Sequence, residues 1–91
     1  MQVKFFAGIR AITGCRENEL PPEENLRALL LALGERYGPR MRQQILAKDG
    51  NGLGTEIVIL VNGRHAEHMG GIDAPLRPDD VIHIFPLVAG G

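Results

Sequence analysis

The last six residues, Pro86-Leu87-Val88-Ala89-Gly90-Gly91, are where the sequence makes chemistry most visible. Fully extended, such a segment reaches about 20 Å. Gly90 and Gly91 carry no Cβ, so the segment is expected to thread a narrow channel and offer the Gly91 carboxylate to close attack. A carboxylate is a poor electrophile until it is given a better leaving group, for which adenylation is the usual route. The chain has no Gly-rich loop followed by Lys and Ser or Thr that would cradle the phosphates of ATP. Activation is therefore expected from a partner that uses ATP, with no cofactor bound by the chain itself. Glycine supplies 12 of the 91 residues, so the terminal pair gains weight only from the apolar Leu87-Val88 stem and the strand that precede it.

The remaining chemistry-bearing residues are fewer. Cys15 is the single cysteine, which excludes an intramolecular disulfide and a cysteine-based zinc site. Lacking a CxxC partner, it is expected as a small core residue. His65 and His68 lie three apart on what reads as an extended arm, where positions i and i+3 face opposite sides, and His83 lies in the last strand. All three are expected as surface or hydrogen-bonded histidines, with no metal site. No Ser, His and Asp stand at a signature spacing for a nucleophilic triad.

Size and charge bound the rest. A chain of 91 residues fits one domain with one modest core and no enclosed catalytic cleft, so a carrier or binding protein is favoured over an enzyme. The formal net charge of -1 offers no general attraction to nucleic acid or to an anionic membrane. The start of the chain has no basic n-region followed by a long apolar segment, and no stretch reaches the length of a membrane span. A cytoplasmic location is expected.

The elements that must hold the tail follow from periodicity. Gln2 to Ile9 alternate as a strand, Ala11 to Gly14 make a turn, and the charged stretch Cys15 to Leu20 is expected to return as an edge strand. Asn25 is a candidate N-cap for a helix with Leu26, Leu29, Leu30, Leu33 and Tyr37 on one side, stopped by Gly38-Pro39. Pro39 to Ala47 reads as a short second helix with Met41, Ile45 and Leu46 inward. Lys48 to Gly54 reads as a mobile loop. Thr55 to Val61 is an unbroken, largely β-branched run, expected as an interior strand buried on both faces. Asn62-Gly63 signals a type I′ hairpin, Arg64 to Met69 the return arm, and Val81 to Phe85 the last strand, ended by Pro86. The expected fold is α+β, a β-grasp (ubiquitin-like) domain over 1–91, its mixed sheet covered by one main helix, with 86–91 as an extended tail. Because one helix covers one face of a sheet, some of Phe5, Phe6, Leu60, Phe85 and Leu87 are expected to line an exposed apolar docking patch.

Five segments carry a resemblance to a known family. They are Val3 to Arg10, the helix from Leu26 to Tyr37, the Val61-Asn62-Gly63 turn, Pro75 to Val81, and Ile84 to Gly91. Together they resemble the MoaD/ThiS sulfur-carrier family over essentially the whole chain. The resemblance implies that an adenylyltransferase of the ubiquitin-activating type adenylates Gly91 and that a persulfide sulfur donor converts the adenylate to a thiocarboxylate. It further implies an acceptor such as the large subunit of molybdopterin synthase. From the tail and the open sheet face, Gly90, Ala89, Val88, Leu87, Pro86, Phe85, Phe6 and Leu60 are expected to meet the partners. The Lys48 to Gly54 loop and the Gly70-Gly71-Ile72 segment also resemble carriers that serve cysteine or homocysteine synthesis, whose endings likewise read Val-Ala-Gly-Gly, and thiamine synthesis is a further alternative for a carrier of this kind. A ubiquitin-like modifier joined through Gly91 to a target lysine would use the same tail and the same activation step.

Overall fold

The computed structural model describes residues 1–87. The order of elements is β1 (Gln2–Phe5), α1 (Gly8–Thr13), β2 (Glu17–Glu19), α2 (Leu26–Tyr37), α3 (Pro39–Ile45), β3 (Ile57–Val61), β4 (Arg64–His65), two 3-10 turns (Ala66–Met69 and Gly71–Asp73) and β5 (Val81–Pro86). The five strands form one sheet in the order β2-β1-β5-β3-β4. β1 and β5 run parallel at its centre, and the other neighbours are antiparallel. This is the β-grasp arrangement. No helix among the described residues is long and apolar enough to cross a membrane.

The leucine stripe explains the main helix. Leu26, Leu29, Leu30 and Leu33 are fully buried, each contributing roughly 1.5–3 kcal/mol of apolar burial, and they close over Val3, Phe5, Ile59, Val61, Ile82 and Ile84 from the sheet. Asn25 caps α2 as expected, its side-chain oxygen accepting from the Ala28 N–H at 2.9 Å. Gly38 ends α2 at φ 94 and hands the chain to Pro39, the first residue of α3. Met41, Ile45 and Leu46 point inward as predicted.

Three expectations change. The first strand stops at Phe5, and Gly8–Thr13 is a helix rather than the end of a strand and a turn. Val3 and Phe5 face the core as strand residues, but Ile9 reaches it from α1, so the alternation carries on by coincidence across a change of structure. The break is enforced at Ala7, which sits at φ 48, while Arg10 donates from Nε to the Phe5 carbonyl at 2.8 Å. Second, β3 alternates, with Ile57, Ile59 and Val61 buried and Val58 and Leu60 only half-buried, because the helices lie on one side of the sheet. Third, the Lys48 to Gly54 loop is tied down. Arg27 donates to the Gly50 carbonyl at 3.1 Å and to Asn51 Oδ1 at 3.2 Å, and Leu46 and Leu53 form a β-bridge.

The hairpin after β3 turns through Asn62 at φ 51 and Gly63 at φ 84, both positive as a type I′ turn requires. Its Asn62 also locks the sheet. Asn62 Oδ1 accepts from the Val81 N–H at 2.9 Å and its Nδ2 donates to Asp80 Oδ1 at 2.8 Å. The other Asp80 oxygen accepts from the Arg77 N–H at 2.8 Å. A buried carboxylate with this many partners holds β5 in register against β3.

Candidate functional site

β5 builds the site. It is flanked by β1 and β3, so its inward residues Ile82 and Ile84 are fully buried, and by the same alternation Val81, His83, Phe85 and Leu87 fall on the open side. Val58 and Leu60 of β3 stand opposite Phe85 and His83, and Lys4 of β1 stands on the other flank of His83. The side without helices is therefore apolar along its middle.

Aromatic contacts fix the shape of that surface. The Phe6 and Phe85 rings stack with centroids 4.2 Å apart and planes 11° from parallel. The His83 ring meets both edge-on, at 5.6 Å from Phe6 and 6.0 Å from Phe85, and the Arg10 guanidinium lies 5.5 Å from the Phe6 centroid. Such ring arrangements hold their side chains in place even when half-exposed. The patch is half-buried and rimmed by cationic Lys4 and Arg10.

The strand runs directly toward the predicted reactive end. Pro86 is still paired, opposite Ile57, and the Leu87 N–H donates to the Glu56 carbonyl at 2.7 Å. Pro86 therefore extends the last strand instead of ending it. Leu87 is 54% exposed. Val88, Ala89, Gly90 and Gly91 lie outside the described residues.

Of the residues predicted to meet partners, Phe6, Leu60, Phe85 and Leu87 share the open side. Pro86 alternates toward the helix-covered side with Ile57. Phe5, expected among the exposed apolar candidates, is instead fully buried and packs edge-on against Tyr37 at 5.6 Å, because residue 5 is on the core side of β1 and residue 6 is not. Sequence reasoning missed His83 and Val58 as members of this surface. The signal was present in the spacing 81, 83, 85, 87, had His83 been weighed as a packing residue.

The other candidates fall elsewhere. Cys15 is half-buried and packs against the core, with Sγ 3.7 Å from the Tyr37 hydroxyl. That hydroxyl also accepts from Asn18 Nδ2 at 2.9 Å. His65 and His68 do not face apart, because the extended arm stops at His65 and the chain enters a 3-10 turn over residues 66–69. Their ring centroids are 5.7 Å apart. Among the described residues, no group of three or more His, Cys, Asp and Glu gathers around a common point.

Comparison with known proteins agrees with this geometry. The ThiS family model matches residues 3–91. A candidate sulfur carrier protein of Archaeoglobus fulgidus is 37% identical over 62 residues, covering 68% of this chain and 69% of that protein. The solution structure of small archaeal modifier protein 1 from Methanosarcina acetivorans superposes with a TM-score of 0.84 at 33% identity, over 99% of this chain and 94% of that one. A candidate molybdopterin converting factor, subunit 1, from Pyrococcus furiosus gives 0.72 at 28% identity, over 96% and 95%.

Proposed function

The chain belongs to the ThiS family, and from that premise we propose that it is a sulfur carrier, not an enzyme, whose working group is the Gly91 carboxylate. The observation that carries the reading is a family match that runs through the Leu87-Val88-Ala89-Gly90-Gly91 ending, on a fold whose central strand leads into that ending. An adenylyltransferase of the ubiquitin-activating type joins AMP to Gly91 with loss of pyrophosphate. AMP then leaves as the outer sulfur of a persulfide attacks the acyl carbon to give an acyl disulfide. A second thiol of the sulfur-donating partner attacks the donor's sulfur, breaking the S–S bond to release the Gly91 thiocarboxylate and leave a disulfide on the partner. ATP is bound and spent by the activating enzyme.

The residues of this chain position that chemistry. The Phe6, His83, Phe85 and Leu60 surface docks the activating enzyme and later the acceptor, and the Val88 to Gly91 segment enters the partner's reaction centre. The favoured acceptor is the large subunit of a molybdopterin synthase, a reading supported by the likeness to a molybdopterin converting factor subunit. No nucleic acid or membrane takes part, and the setting is cytoplasmic.

Likeness to a small archaeal modifier protein at 33% identity supports a second use of the same adenylate, its capture by a target lysine. Intact mass separates the two. After incubation with ATP, the cognate activating enzyme and a persulfide donor, the expected gain is the exchange of one oxygen for sulfur, absent when Gly91 is deleted. An isopeptide adduct in place of that gain would establish the modifier instead. A sulfur gain that persists in the deletion variant would overturn the assignment of Gly91 and point to Cys15.

A further inference from the structure

His65 and His68 are brought together by packing rather than by chance. Ala66 is buried and Met69 packs against the core, and both reach inward because a 3-10 turn aligns i with i+3. His65, the extended residue just before the turn, and His68 within it both lie on the outside, where they are exposed. The pairing of His65 with Leu60 sets this pair at the β4 rim of the open sheet face, apart from His83, which packs among the phenylalanine rings.

The spacing is that of ligands. Two imidazoles bound to one tetrahedral ion, with metal–nitrogen distances of about 2.1 Å, place their ring centres about 5 Å apart. The observed 5.7 Å, with planes 40° apart, is close to that spacing. Glu67, between the two histidines, is also exposed, but it does not complete a three-residue group.

We propose that His65 and His68 form an open two-histidine site for a borderline divalent transition-metal ion such as zinc, its other positions held by water. Imidazole suits this class of metal, and an ion with open positions accepts a further ligand. The proposal is independent of the sulfur chemistry at Gly91.

Zinc titration of the full chain, followed by calorimetry and by the histidine ring signals in NMR, tests it. The expected result is one zinc per chain, with the His65 and His68 signals shifting together and those of His83 unmoved. His65→Ala and His68→Ala should each weaken binding by roughly tenfold or more, whereas His83→Gln should leave it intact. The variants are surface changes, and the unmodified chain supplies the NMR readout regardless of how they behave. Absence of any response at millimolar zinc, binding that survives both alanine variants, or shifts centred on His83 would each overturn the site.

Discussion

Asn25 starts the main helix with one side-chain oxygen, and the consequence is measurable. Asn25→Ala removes the acceptor for the Ala28 N–H and should cost about 1 kcal/mol, read as a lower denaturation midpoint with an unchanged slope. Ala7 is the converse case. An L-residue at φ 48 and ψ -126 occupies backbone space natural only to glycine, so Ala7→Gly should stabilise the fold by about 1 kcal/mol, the low end of such strain. Gly54 permits neither freedom, because a Cβ there would be driven into the Gln44 carbonyl. Gly54→Ala should destabilise the domain by more than about 2 kcal/mol, the cost of overpacking against backbone, seen as a fall in thermal midpoint.

Among the elements, β5 has the most divided task, since one side of it fills the core and the other forms the docking surface. Phe85→Asp should leave the fold intact, because Phe85 is only half-buried. It should nevertheless weaken association with the activating enzyme by at least about tenfold, the scale of losing one aromatic anchor. Ile84→Asp, one residue away and fully buried, should instead prevent folding. Circular dichroism alongside a binding titration separates the two outcomes. The same elements show what the sequence made legible. Asn25, the leucine stripe and Asn62-Gly63 were readable because each acts through near neighbours in the chain. The start of α1 was not, because Ile9 satisfies a strand pattern and a helix pattern equally well and the change at Ala7 depends on a long-range fit. The histidine pair was missed for a related reason, since the turn that forms it follows from the burial of Ala66 and Met69 against elements distant in sequence. Most of the open surface could be listed beforehand, and the alternation of β1 already set Phe5 with Val3 and apart from Phe6, but which face the helices cover emerges only from the packing.

At the scale of the whole molecule, Arg27 ties parts that share no strand or helix. From α2 it reaches Asp73 Oδ1 at 3.2 Å as well as Gly50 and Asn51, joining the helix to both long connections. The ion pair itself is partly exposed and contributes little, so Arg27→Met should lower global stability by no more than about 1 kcal/mol. Its larger effect should be local, as faster proteolysis and faster amide exchange within 48–54, where the loop loses its hold. The central pairing of β1 with β5 has a different kind of consequence, for the order in which the fold comes into being. β1 is made long before the strand it pairs with, so the sheet has no middle until Val81 to Pro86 have left the ribosome. Folding is therefore late and all at once, and a nascent chain halted before Val81 exposes β1 and β3 as unpaired edges for chaperones to cover.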